Sequence, residues 1–130
     1  MSSQDEIPRA EKILIKTYIA PHILELIRPI DQETILKHFN EKRMIDEVLE
    51  TKHIKSLRGM LRYIPDIIKI PMLEKAKREE YIDFFIDEVL SEKRPDLYLL
   101  IKYVKGLREY IIENIRRLIE LLEPKPQYTL

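Results

Sequence analysis

The chain has no cysteine, only two glycines and no net charge. Without cysteine there is no disulfide, no thiolate nucleophile and no Cys-based zinc site, and the absence agrees with a reducing compartment. With glycine only at positions 59 and 106, neither a Gly-rich phosphate loop nor a G-x-S-x-G nucleophile elbow can be built. The 23 basic residues are matched by 23 acidic ones, so the basic excess that marks a general grip on nucleic acid is missing. No apolar run reaches the length of a membrane span, and the opening MSSQDE does not resemble a signal peptide. The chain is therefore expected to be cytoplasmic, with no membrane partner.

What remains is helical in character. Isoleucine, leucine, lysine and glutamate are abundant and glycine is scarce, which points to helices with short connections. At 130 residues the size prior gives one domain, which buries roughly two-thirds of its unfolded surface and needs no covalent staple. The clearest stretch is Tyr81–Gly106. Ile82, Phe85, Ile86, Val89 and Leu90 recur at helical spacing, while Asp83, Asp87 and Glu88 keep the opposite side wet. Ser91–Arg94 interrupts the stripe. Pro95 and Asp96 restart it as the first turn of another helix carrying Leu97, Leu100, Ile101 and Val104.

Five further elements surround that pair. The first runs over about Arg9–Ile27, with Pro21 inside it, and a kink or break is expected near Tyr18–Ala20. Asp31 has the features of an N-cap for a second helix, with Ile35, Leu36, Phe39 and Met44 inward. Ile45, Val48 and Leu49 make a short third. A fourth runs from Ser56 through Leu57, Met60, Leu61, Ile64, Ile67 and Ile68, kinked at Pro65 and ended by Pro71. Residues 72–80 then read as a charged connection or a solvated helical lead-in to the fifth helix. After Gly106 a seventh stripe, Leu107, Ile111, Ile115, Leu118 and Leu122, widened by Ile112 and Ile119, joins the bundle or starts a coiled coil. The division is thus 1–105 for a bundle and 106–130 for an amphipathic helix and tail.

Catalytic chemistry is hard to assemble from these parts. His22, His38 and His53 fall on three different elements, without the i, i+4 spacing that puts two imidazoles on one helix face. Carboxylates lie mainly at solvent-facing positions. No enzyme activity, cofactor or metal is expected.

The helix order resembles a known family. The broken first helix ILIKTYIAPHILELI, the acidic-start DQETILKHFNEKRMI, the basic-then-apolar SLRGMLRYIPDII, then EEYIDFFIDEVL and RPDLYLLI are similar to helices one, two, four, five and six of a caspase recruitment domain (CARD) of the death-fold superfamily. The resemblance spans Ile13 to Val104, with a compressed second-to-third helix region and a longer link at 72–80. It implies an all-α, six-helix antiparallel bundle with a kinked first helix, to which the seventh helix is added. It also implies homotypic docking as a signalling adaptor or scaffold, a basic face meeting an acidic one. On this chain the basic face would be Lys12, Lys16, Lys55, Arg58 and Arg62, and the acidic face Asp46, Glu47 and Glu50.

Two other readings compete. One is a small helical nucleic-acid-binding or replication accessory protein of archaeal or viral type, using Lys52, Lys55, Arg58 and Arg62 together with Lys69, Lys75, Lys77 and Arg78. The other is a homo-oligomer held through Ile111, Ile115 and Leu118.

Overall fold

A computed structural model describes residues 7–47, 55, 58–59 and 61–123. Among the described residues there are six helices and no strand. Helix α1 (residues 9–27) consists of α-helical Arg9–Leu14, π-helical Ile15–Ile19 and α-helical Ala20–Ile27. Helix α2 is Gln32–Asn40, α3 is Asp66–Ala76, α5 is Pro95–Tyr103 and α6 is Leu107–Leu122. Helix α4 (residues 79–93) again joins two α-helical pieces, Glu79–Phe84 and Ser91–Lys93, through a π-helical segment, Phe85–Leu90. Short 3-10 turns lie at Ile45–Glu47 and Leu61–Tyr63.

Proline accounts for the interruption in α1. Pro21 has no N–H to return to the preceding turn, so the helix widens just before it, and Ala20 N–H bonds to Ile15 O, five residues back. Pro21 then falls in the first turn of the next α-helical piece, where a missing donor costs least. Both sides of Pro21 contribute buried residues, Ile15 and Ile19 before it and Ile23, Leu26 and Ile27 after it, but the first turns do not. Arg9–Leu14 buries nothing, whereas Ile15, Ile19, Ala20, Ile23, Leu26 and Ile27 are all buried.

Asp31 caps α2 as its sequence position requires, accepting the Thr34 N–H at 2.8 Å. That bond holds the Asp31 carboxyl below the usual carboxylate range. Ile35 is buried and Leu36 and Phe39 half-buried, but His38 is buried too, its Nδ1 3.3 Å from the Arg43 guanidinium. Of the expected third helix the described part is the 3-10 turn Ile45–Glu47; Val48 and Leu49 lie outside the described residues.

The prolines at 65 and 71 act differently from the sequence expectation. Pro65 is not a kink but the N-cap of α3. Pro71 does not end that helix; it lies within it. Residues 72–76 therefore continue a helix that buries Met72, Leu73 and Ala76 instead of forming a solvated link. Lys69 is buried as well, held by Asp66 at 3.3 Å and by Leu61 O at 3.4 Å.

Helix α4 buries all five residues of its expected stripe, together with Tyr81 and Phe84. It continues through Lys93, so the interruption is confined to Arg94. The Arg94 guanidinium donates to Ile27 O (3.0 Å) and Ile30 O (2.6 Å) and pairs with Asp96, tying the end of α1 to the start of α5. Asp83 and Asp87 are half-buried, each holding Arg108 of α6, at 2.8 and 3.0 Å.

Gly106 precedes α6 with φ +84°, a left-handed conformation that L side chains rarely adopt. Helix α6 packs on α1, α3, α4, α5 and the Ile45–Glu47 turn. Its whole apolar stripe is buried, from Leu107 to Leu122. One continuous cluster of buried residues runs from Ile19 to Leu122, crossing position 106. Asn114 is the polar member of that interior: its amide accepts from Ile45 N–H at 2.5 Å and donates to Tyr110 O at 2.6 Å. It satisfies a backbone donor that would be costly to bury alone.

Candidate functional site

An apolar departure from full packing lies between α1 and α3. Helix α3 carries apolar side chains on its outer side as well as its inner one. Met72, Leu73 and Ala76 face the core, yet Ile67 is 83% exposed, and Ile68 (51%) and Ile70 (45%) are exposed as well. A soluble helix ordinarily places charge on its outer side. Helix α1 contributes exposed Leu14 and Tyr18. Between the two helices runs a groove of about 200 Å³, lined by Leu14, Ile15, Ile67, Ile68, Pro71 and Met72. That volume holds one large apolar side chain or a single ring, not a cofactor.

One end of the groove is polar. The Glu11 carboxylate takes a hydrogen bond from Lys75 Nζ with one oxygen and from the Tyr81 hydroxyl with the other. The lysine, and after it the tyrosine, holds the Glu11 carboxyl below its usual value. Burial and the neighbouring carboxylate push the Tyr81 phenol up to about 12. Both shifts carry a stability signature. A carboxyl with a depressed folded pKa stabilises above its ordinary value of 4.5 and loses that contribution as pH falls through the lower, folded one. A raised phenol stabilises below pH 10 and loses its contribution as pH rises toward 12. Glu11→Gln is thus expected to lower the melting temperature at neutral pH by the equivalent of about 1 kcal/mol or less. The difference from wild type should shrink below pH 4.5. A melting-temperature series in pH checks this, and a constant offset at all pH values contradicts it.

The residues singled out from sequence are placed as follows. Lys12 and Lys16 lie over the Phe84 ring, their Nζ atoms 5.5 and 5.6 Å from its centroid, and Lys16 pairs with Glu88 at 3.5 Å. Arg58 is half-buried, its Nε donating to Leu121 O at the end of α6. Lys55 and Arg62 are exposed, as is Glu47. The Asp46 side chain and Glu50 lie outside the described residues. Lys12 and Lys16 are therefore positioned by α4 and Arg58 by α6, so the expected basic face is divided among different supports. Ile111, Ile115 and Leu118 are buried in the core of a single chain, at 5%, 4% and 0% exposure. They are not free to form a seam between chains.

The extended basic surface is also dismantled. Lys69 is buried against Asp66, Lys75 binds Glu11, and Lys77 pairs with Glu123 at 2.6 Å and Glu74 at 3.5 Å. The Glu123 pairing raises the Lys77 pKa above its usual value. Of that set, Lys55, Arg62 and Arg78 are exposed, and Lys52 lies outside the described residues. Among the described residues no group of three histidines or carboxylates is placed to hold a metal ion, and no helix is long and apolar enough to cross a membrane.

The groove was missed from sequence, although a signal existed. Residues 67–73, IIKIPML, carry apolar groups at six of seven successive positions, more than one buried helix face can absorb. No protein-family model, no curated protein and no solved structure matches this chain.

Proposed function

We propose that this protein is an interaction module, an adaptor or scaffold that works by docking onto other protein surfaces. The observation that carries this reading is the apolar outer face of α3 beside the α1–α3 groove. Contiguous exposed apolar surface of this kind marks contact sites, and a hole sized for one side chain suits an anchoring residue. The narrower form of the proposal is homotypic CARD-type association through opposed basic and acidic faces. It rests on the resemblance in sequence, and the exposure of Lys16, Lys55, Arg62 and Glu47 supports it.

Lys55 is the informative position for that form, because Arg58 has a structural bond to Leu121 O. Light scattering from low to moderate salt, on wild type and Lys55→Glu, tests it. Charge-driven association should give large oligomers that dissolve as salt rises and should weaken by a few-fold per pair removed, roughly 0.2–1 kcal/mol. Salt-indifferent behaviour, identical in both proteins, overturns the opposed-face form.

A further inference from the structure

We propose that residues 7–14 form a strap that opens and closes as a unit over Tyr81 and Phe84, hinged on the π-helical segment Ile15–Ile19, while the main core stays folded. Arg9–Leu14 buries none of its own residues. Among the described elements, its extensive backbone contact is with the π-helical segment that follows it. The apolar residues beneath it, Phe84 and Tyr81 with Ile7 and Ile15, form a cluster separate from the main core. A small void of about 10 Å³ lies where Ile15 and Tyr81 approach Ile19, Ile23, Phe85 and Ile115, so the two clusters meet over incomplete packing. A segment with few buried apolar contacts belongs to the units that open at the lowest free energy. The hinge is where the regular ladder of α1 is already interrupted: the widened turn ahead of Pro21 begins one residue after Leu14.

Three fastenings hold the strap down, and each can be released without unfolding another helix. Ile7 is buried in the small cluster. The Glu11 carboxylate takes hydrogen bonds from Lys75 of α3 and Tyr81 of α4. Lys12 Nζ lies 5.5 Å from the centroid of the Phe84 ring. The two polar fastenings are partly exposed to water, where such contacts are individually weak. Opening removes Glu11 and Leu14 from the lining of the α1–α3 groove and uncovers Tyr81, which lines the same groove. The groove then continues along α4 toward Phe84, three residues on. Resting on the docking reading above, the closed strap is an autoinhibitory contact that keeps this surface short. The opening itself requires no partner.

Hydrogen exchange of the full chain over a series of sub-denaturing guanidinium concentrations tests the strap. The amides of Glu11, Lys12, Ile13 and Leu14 should share one opening, at least about 100-fold more frequent than the one that exposes the Leu118 amide. Ile7→Asp, outside the main core, should speed all four together by about tenfold or more, and Glu11→Gln by a few-fold. Ile111→Val, in the main core, should speed Leu118 about two- to tenfold and leave the four strap amides unchanged. Tyrosine nitration by tetranitromethane reads the uncovering. Tyr81 should react several-fold faster in Ile7→Asp, with Tyr63, 91% exposed, unchanged as the internal reference. Rates graded from Glu11 to Leu14 and indifferent to Ile7→Asp mean simple fraying and overturn the proposal. Exchange of all four amides only together with Leu118 overturns it too, as does a Tyr81 no more reactive in Ile7→Asp than in wild type. Neither readout involves a docked protein, so a strap that fails these tests leaves the contact-module reading standing.

Discussion

Leu118→Lys should yield a chain that fails to fold, not a folded monomer released from an oligomer. Leu118 is fully buried, on the α6 stripe that touches nearly every other helix. Removing a buried leucine side chain costs about 2–5 kcal/mol. An unpartnered ammonium in its place adds a desolvation penalty of several kcal/mol. A domain of this size has a total stability of about 5–15 kcal/mol, so one substitution exhausts most or all of it. The same reasoning extends to Ile111 and Ile115. Circular dichroism and a thermal melt decide the matter. A soluble Leu118→Lys protein with a cooperative transition would show that α6 does not hold the core.

Phe84→Ala should cost about 3–5 kcal/mol, and its effect should be local. Phe84 is fully buried in a small cluster with Ile7, Ile15 and Tyr81, apart from the main core. It is also the floor beneath Lys12 and Lys16, two cation–ring contacts of about 0.5–1 kcal/mol each. Because Arg9–Leu14 buries nothing itself, that segment depends on the cluster for its position. In Phe84→Ala the amides of residues 9–19 should exchange hydrogen sooner than those of α6. Denaturant unfolding gives the size of the loss, and hydrogen exchange its location. A loss under about 1 kcal/mol, or uniform acceleration, would contradict the assignment.

The stripes of α4 and α6 were legible because each is a regular alternation that one buried face explains. Every apolar residue expected inward on those two helices is buried. The cap at Asp31 and the helix start at Pro95 were legible because one residue's chemistry specifies them. Proline was less readable. Pro21 was absorbed by widening a turn, Pro65 became a helix start and Pro71 was tolerated within α3. Proline's local preference is the same in all three places; the packing around it decides the outcome. The site was less legible still. Lys12, Lys16 and Arg58 satisfied a charge pattern, yet ring and carbonyl partners distant in sequence fix two of their positions and half-bury the third. Asp83 and Asp87 read as wetted charges and proved to clamp Arg108 from another helix. The groove needed two helices more than 50 residues apart, and no periodicity within either one reveals it.

The two π-helical segments, Ile15–Ile19 and Phe85–Leu90, pack against each other. Each holds one more residue than an α-helical turn can accommodate. The residues on either side are consequently out of phase by about 100°, one helical step. For comparative work the consequence is practical. A homologue that lacks the extra residue would align with a one-position gap in mid-helix, a place where gaps are normally forbidden. Scoring schemes that penalise such gaps would misplace residues 9–14 or 79–84 against their counterparts. Searches for distant kin of this chain should permit a single deletion within 15–19 and within 85–90.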